Sequence, residues 1–367
     1  MKKEDAASLI VYAVMIGLAL FVGLGIIRPV FAANASVGGS QYAFAIISVI
    51  IGVFINAILL EVGHILGGLI GKYRIHSVNI FGFCFHKKSG KTHFAFRMFD
   101  GLTGETKFLP KSEKSNPRPA TLLPVLLYLI ELVAAIILYA LISTNVDVDL
   151  VWLSIGAIIV ASIGGMMTLY NIVPFKLDAI TDGYRLTLFA KKINIIAYNE
   201  LMLAENGDEP FTPRIFEEIT DFTAEVNLIS VYRNIKEKKF AEAETILTNI
   251  IANEAKTSNS THNRAIAQLL FLKIMNEPLE DAKAYYATIP TSIHRFIAND
   301  LSMPSLRAYV LIAGLMDDAQ GEIMYCLDRK KKAIKYTAPG IAEIENSLFK
   351  EALDKVKVAH PDWKLEQ

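Results

Sequence analysis

From Ala35 to Leu60 the chain runs without a charged residue. At about 1.5 Å of helical rise per residue this run outreaches the roughly 30 Å hydrocarbon core of a bilayer, and a single segment in lipid satisfies its backbone only as a helix. It leads straight into Glu61 and His64, so a carboxylate and an imidazole sit inside the same span, where groups so costly to bury mark function. On a helix, Asn56, Leu60, His64 and Gly68 recur every four residues along one face with Glu61 beside them, and Glu61 and His64 share a pocket. Gly63, Gly67 and Gly71 form a second stripe that lets a neighbouring helix approach closely.

Three further apolar runs accompany it. Ala6 to Ile27 is a first span, long enough to be kept as an anchor although Ala33-Asn34-Ala35 resembles a signal-peptidase site. Thr121 to Ser143 is a third, interrupted by Glu131, which serves either as a functional acid or as a hydrogen-bonding group between helices. Leu150 to Phe175 is a fourth. These runs lie before residue 176, so the 53% hydrophobic content averages two unlike halves, a membrane domain and a soluble one. The formal net charge is zero and no long block of like charge occurs, which gives no footing for nucleic acid. Cys84 and Cys326 are far apart and on the cytosolic side, so no disulfide framework is expected.

The connection Tyr73 to Pro119 is rich in lysine and arginine, and the short turn carrying Asp147 and Asp149 is acidic. By the positive-inside rule the N-terminus, the 73–119 connection and the C-terminal part are cytoplasmic and the acidic turn external. Within the connection, Val78, Ile80, Phe83 and Phe85, the turn-like Lys87-Lys88-Ser89-Gly90, then Phe94, Phe96 and Met98 predict a β-hairpin lying just under the membrane. His76, His86 and His93 alternate with its apolar residues as solvent-facing positions.

Leu60-Glu61-Val62-Gly63-His64 resembles the HExxH motif of the site-2 protease family of intramembrane zinc metalloproteases. Asn171-Ile172-Val173-Pro174 with Asp182-Gly183 resembles the family's NxxP and DG motif. The resemblance covers about residues 40 to 190. It implies a three-helix core that holds zinc between the histidines of the first motif and the aspartate of the second. The glutamate, here Glu61, is the general base, and substrate is presented by strand addition at a small sheet. His64 and Asp182 match ligand positions, with Asp178 as the alternative aspartate because it lies nearer the motif's usual distance from the asparagine. Asn56, Leu60, Asn171, Pro174 and Gly183 line the site. The departure is Leu60, which stands at the first ligand position with no lone pair to offer, so zinc binding is weakened or lost. A substitute donor would have to come from Asn56, His76, His86 or His93.

From residue 191 to residue 367 the composition is that of a soluble helical domain. Leu228 to Leu247 resembles a tetratricopeptide helix pair, with weaker echoes at Leu269 to Tyr286 and Ala308 to Leu327; Ala243, Ala282 and Glu322 occupy comparable places, at a period longer than the usual 34 or so residues. Lys256 to Asn263 reads as a polar loop and Arg329 to Lys332 as a solvated helix end. The expected fold is therefore an α-helical polytopic membrane protein with four spans, a cytoplasmic hairpin and a repeat-like all-α domain. Residues 1–34 form the first span and external loop, 35–190 the core and 191–367 the cytosolic domain. The expected function is that of a pseudoprotease that binds membrane-protein segments, with a protein partner on the C-terminal domain. The alternative is an active zinc protease with a substitute ligand. A transporter or channel would use four spans and Glu131 but leaves the paired motifs unexplained.

Overall fold

Among the described residues, four helices are long and apolar enough to cross a membrane: Ala6–Ala32, Tyr42–Ile70, Arg118–Leu141 and Trp152–Ile172. They belong to a computed structural model that describes residues 3–33, 40–88, 91–96, 104–143, 148–177, 180–207 and 211–365. The chain divides into two compact units, Met1–Ile195 and Ile196–Gln367.

In the first unit, α1 (Lys3–Leu20) passes through a π-helical turn (Phe21–Ile27) into α2 (Arg28–Ala33). Pro29 has no N–H to donate, and the Arg28 amide reaches five residues back to the Gly23 carbonyl, so the wider turn carries the helix past the proline. The run is thus longer than the predicted Ala6 to Ile27. Next, α3 (Ser40–Ile70) packs against α4 (Arg118–Ser143) and α5 (Val148–Ile172). The glycine stripe explains the closeness to α4. A Cβ at Gly63 would lie 2.6 Å from Pro124 Cα, one at Gly67 2.2 Å from the Pro119 carbonyl oxygen, and one at Gly71 2.2 Å from that of Asn116. Toward α5, the Asn56 amide donates to the Val160 carbonyl at 2.8 Å and to its own helix at Gly52, 2.9 Å.

The predicted hairpin is one part of a larger sheet, and its second arm is an edge strand. Strands β1 (Tyr73–Ile80), β2 (Phe83–Lys88), β3 (Lys91–Phe96) and β4 (Gly104–Pro110) are all antiparallel in the order β3-β2-β1-β4. Phe81 and Gly82 turn β1 into β2 at φ of 50° and 86°, the pair of positive angles that a primed two-residue turn needs. Phe81 accepts that backbone while its ring rests on Phe54, centroids 4.6 Å apart. Phe54 is about 24 Å along α3 from Ile70 at 1.5 Å per residue. The sheet therefore does not sit beyond the end of α3, as the sequence predicts, but runs alongside the middle of that helix. Its two faces differ. Pairing places Phe83, Phe85, Phe94 and Phe96 on one face with Val78, Ile80 and Thr106, and Cys84, His86, His93 and Ala95 on the other. The four phenylalanines are 51 to 64% exposed, so the apolar face extends past what α3 covers. The predicted strand residue Met98 lies outside the described residues.

Helix α6 (Asp182–Leu188) follows α5, and α7 (Lys192–Asn206) follows α6. Among its described residues the second unit has helices and no strand. Its first pair, α8 (Asp221–Lys236) and α9 (Phe240–Ala252), is joined through Lys238 at φ 63° and packs around the fully buried Ala243. Then come α10 (Asn259–Asn276), α11 (Leu279–Thr288), α12 (Thr291–Asn299), α13 (Met303–Leu315), α14 (Gln320–Tyr336) and α15 (Pro339–Ala359). Most of the expected polar loop is helix, because the Ser258 hydroxyl accepts from the Thr261 amide at 3.0 Å and starts α10 there. Arg329 is not a solvated end: it is buried and donates to the carbonyls of Ala298, Asn299 and Asp300, closing the end of α12. In contrast to an open repeat array, where units touch only their neighbours, α15 packs against both α8 and α13. Glu345 on α15 pairs with Arg307 on α13, both 0% exposed, and Arg307 also bonds Gln268 on α10. Breaking such a buried pair from one side costs about 3 to 5 kcal/mol, which pins α15 in this register.

Candidate functional site

Two stretches far apart in sequence meet beside α3. His64 Nε2 and Asp182 Oδ2 are 2.9 Å apart across a sequence separation of 118 residues. The second stretch is brought there by local chemistry. Asn171 lies on the last turn of α5 and Pro174 just past its end, where proline prevents the helix from continuing. The Thr181 hydroxyl then donates to the Val173 carbonyl at 3.0 Å and accepts from the Tyr184 amide at 3.3 Å, which caps α6. Gly183 is needed at this point, since a Cβ there would stand 2.1 Å from the Ile172 carbonyl oxygen. At the far end of α6, Arg118 donates to the Phe189 carbonyl at 2.6 Å. Asp182 is held between these fixings, 8% exposed. It is the aspartate that reaches His64; the alternative Asp178 lies outside the described residues.

Glu61 is 3% exposed, and its Oε2 is 3.5 Å from His64 Nδ1. Each ring nitrogen of His64 therefore faces a carboxylate oxygen. The start of β4 lies over Glu61: the Thr106 hydroxyl donates to Oε2, and a Cβ at Gly104 would stand 2.6 Å from Oε1. Further along, Phe108 of β4 fills the notch at Gly68, where a Cβ would come within 2.3 Å of its ring. Arg185 approaches the other Asp182 oxygen at 3.5 Å. Burial pushes the Asp182 carboxyl up, but the facing His64 imidazole and Arg185 outweigh it and hold the group below the usual aspartate range.

The residues present do not fit the catalytic zinc that the motif resemblance implies. Such a centre takes three protein donors and keeps one position open for water or substrate. Here Leu60 is buried at the first donor position, His64 is engaged on both sides by the two carboxylates, and the space beside Glu61 is taken by Gly104 and Thr106. The substitute donors lie elsewhere. Asn56 fixes its amide nitrogen on Val160 and Gly52, and its Oδ1 is turned to α5, where a Cβ at Gly164 would stand 2.1 Å away. His86 and His93 stack on each other, centroids 5.6 Å apart, on the sheet face opposite Thr106. His76 falls at the register shift of β1 against β4, between Ile75 and Ser77. Among the described residues, no group of three or more histidine, cysteine, aspartate or glutamate side chains is arranged to hold a metal ion.

Glu131 is not part of this cluster; it stands near Asn56 with both carboxylate oxygens closed off from solvent. The residues that sequence reasoning missed are Gly104, Thr106 and Arg185. A signal for the first two was there: in Gly104 to Pro110, Glu105 and Lys107 alternate with Thr106 and Phe108, a short period-two pattern bounded by glycine and proline. Compared with models of known protein families, with curated proteins and with solved structures, the chain matches none.

Proposed function

We propose that the chain is a site-2-protease-like membrane protein that has kept the arrangement of the protease core and lost its metal chemistry, and that it binds membrane-protein segments without cutting them. The observation that carries this reading is the pairing at His64. A hydrolytic centre needs the imidazole lone pair on a metal and the glutamate free to take a proton from water. In this chain the imidazole lies between Glu61 and Asp182, and Glu61 holds a threonine hydroxyl. Support for the ancestry is that the two motifs, each weak alone, meet within hydrogen-bond distance in the helix order that the resemblance implies.

Clients are bound as an added strand. Strand β4 has a neighbour on one side only among the described residues, and every second residue of such a strand turns its backbone N–H and C=O outward. The four apolar helices cross the bilayer with both ends of the 73–119 connection on the cytoplasmic side, and the helical C-terminal unit takes a cytosolic protein partner. The active-protease alternative would require a third donor, and Asn56, His86 and His93 are engaged elsewhere.

The test is a photo-crosslinking amino acid in place of Lys107 on β4, in the full chain in membranes, offered an apolar transmembrane peptide with a helix-breaking glycine pair. The expected result is a crosslinked peptide of full mass. A peptide cut near its middle, with cleavage abolished by a zinc chelator, would overturn the proposal.

A further inference from the structure

The contacts around His64 join three pieces of chain that have no neighbourhood in sequence. Thr106 on β4 bonds Glu61 on α3 across a separation of 45 residues, and His64 on α3 bonds Asp182 at the start of α6 across 118. Arg185 and Thr181 complete the fixing of that last piece, and its far end is tied to α4 through Arg118. Each link is polar, and the Glu61 and Asp182 carboxylates on which they converge are buried. The packing is close at two points: Gly104 on Glu61 and Gly183 on the end of α5 leave no room for a Cβ. Moving β4 away from α3 therefore takes the hydroxyl from Glu61, which leaves that buried carboxylate to draw on His64 alone. The His64 to Asp182 contact changes in consequence.

We propose that the former catalytic residues act as a tie that couples strand β4 to the 180–188 segment, so that occupation of the sheet edge is felt at α6 and a change at α6 is felt at the sheet edge. The proposal rests on the reading that the site holds no zinc, and it assigns the cluster its present task. Glu61, His64 and Asp182 are positioning residues here, acting through Thr106 and the α6 cap. Because α6 precedes α7 and the second unit in the chain, the 180–188 segment is the covalent route from the site toward that unit. Coupling free energies are reciprocal, so each end must respond to a change at the other.

The experiment is hydrogen exchange on the full chain in lipid nanodiscs, comparing wild type with Thr106→Val and Asp182→Ala. Thr106→Val is isosteric and removes one hydroxyl. Its expected effect is a severalfold faster exchange of amides 182–188, distant in sequence from the substitution, as well as of β4. Asp182→Ala is expected to speed exchange of amides 104–109 about as much. The double variant should show less than the product of the two effects, as sites sharing one network do. If each substitution changes only its own segment, or the effects multiply, the tie does not exist. Should Asp182→Ala fail to fold, Thr106→Val alone decides, through amides 182–188. Zinc measured on the same samples separates the two ideas: stoichiometric zinc overturns the pseudoprotease reading, and zinc-free protein with independent segments overturns only the tie.

Discussion

At the scale of single residues, the site is defined as much by two positions without side-chain chemistry as by its acids and imidazole. Leu60 supplies bulk where the motif resemblance implies a ligand, and Gly104 supplies absence where a strand touches a carboxylate. A methyl group at 104 would stand 2.6 Å from Glu61 Oε1 and 2.7 Å from its Cγ, distances at which something must move. Gly104→Ala is expected to destabilise the first unit by about 1 to 3 kcal/mol, the usual cost of overpacking a close-fitted site. Thermal unfolding of the purified protein checks this, with Gly17→Ala as reference, since nothing lies within 4 Å of a Cβ there. Equal midpoints for the two variants would mean that β4 does not rest on Glu61.

At the scale of elements, the long helices were legible in the sequence because a run such as Ala35 to Leu60 has only one way to satisfy its backbone in lipid. The glycine stripe likewise told correctly which side of α3 is approached closely, although it did not say by what. The sheet was half legible. Alternation exposed β2 and β3, but Phe81-Gly82 carries no common turn signature, and β4 is too short and too polar to stand out beside longer apolar runs. Nor could the basic residues of this connection give its depth. Lys87, Lys88 and Lys91 sit at one end of the hairpin, and the opposite end, Phe81, reaches Phe54. Because Phe81 reaches Phe54 in the middle of α3, the four exposed phenylalanines are expected to meet lipid tails, not water, when the protein is placed in a bilayer. A tryptophan in place of Phe94, in nanodiscs, is expected to emit at short wavelength and to be quenched by lipids brominated on their tails, while one at the exposed Lys111 is quenched only by aqueous iodide. Quenching of both from water would return the sheet to the surface.

At the scale of the whole molecule, two units with different logic share one chain. The first is held by close helix contacts through glycine and by a polar cluster around His64. The second is held by an apolar core with Arg307 and Glu345 buried inside it, and there the sequence told only that helices pair. Periodicity cannot distinguish an open array from a bundle, because both bury one stripe per helix; the return of α15 onto α8 is a long-range contact that no local pattern announces. For the candidate site, sequence identified Glu61, His64 and Asp182 but could not tell that they would bond one another. That pairing makes zinc content the most direct measurement. The wild-type chain, purified from membranes without chelators and assayed by atomic absorption, is expected to carry far less than one zinc per chain. Leu60→His restores two imidazoles at i and i+4 on one helix face and is expected to raise the zinc content toward one. Stoichiometric zinc in the wild type, lost in His64→Ala and in Asp182→Ala, would contradict the loss of metal chemistry on which the proposed function stands.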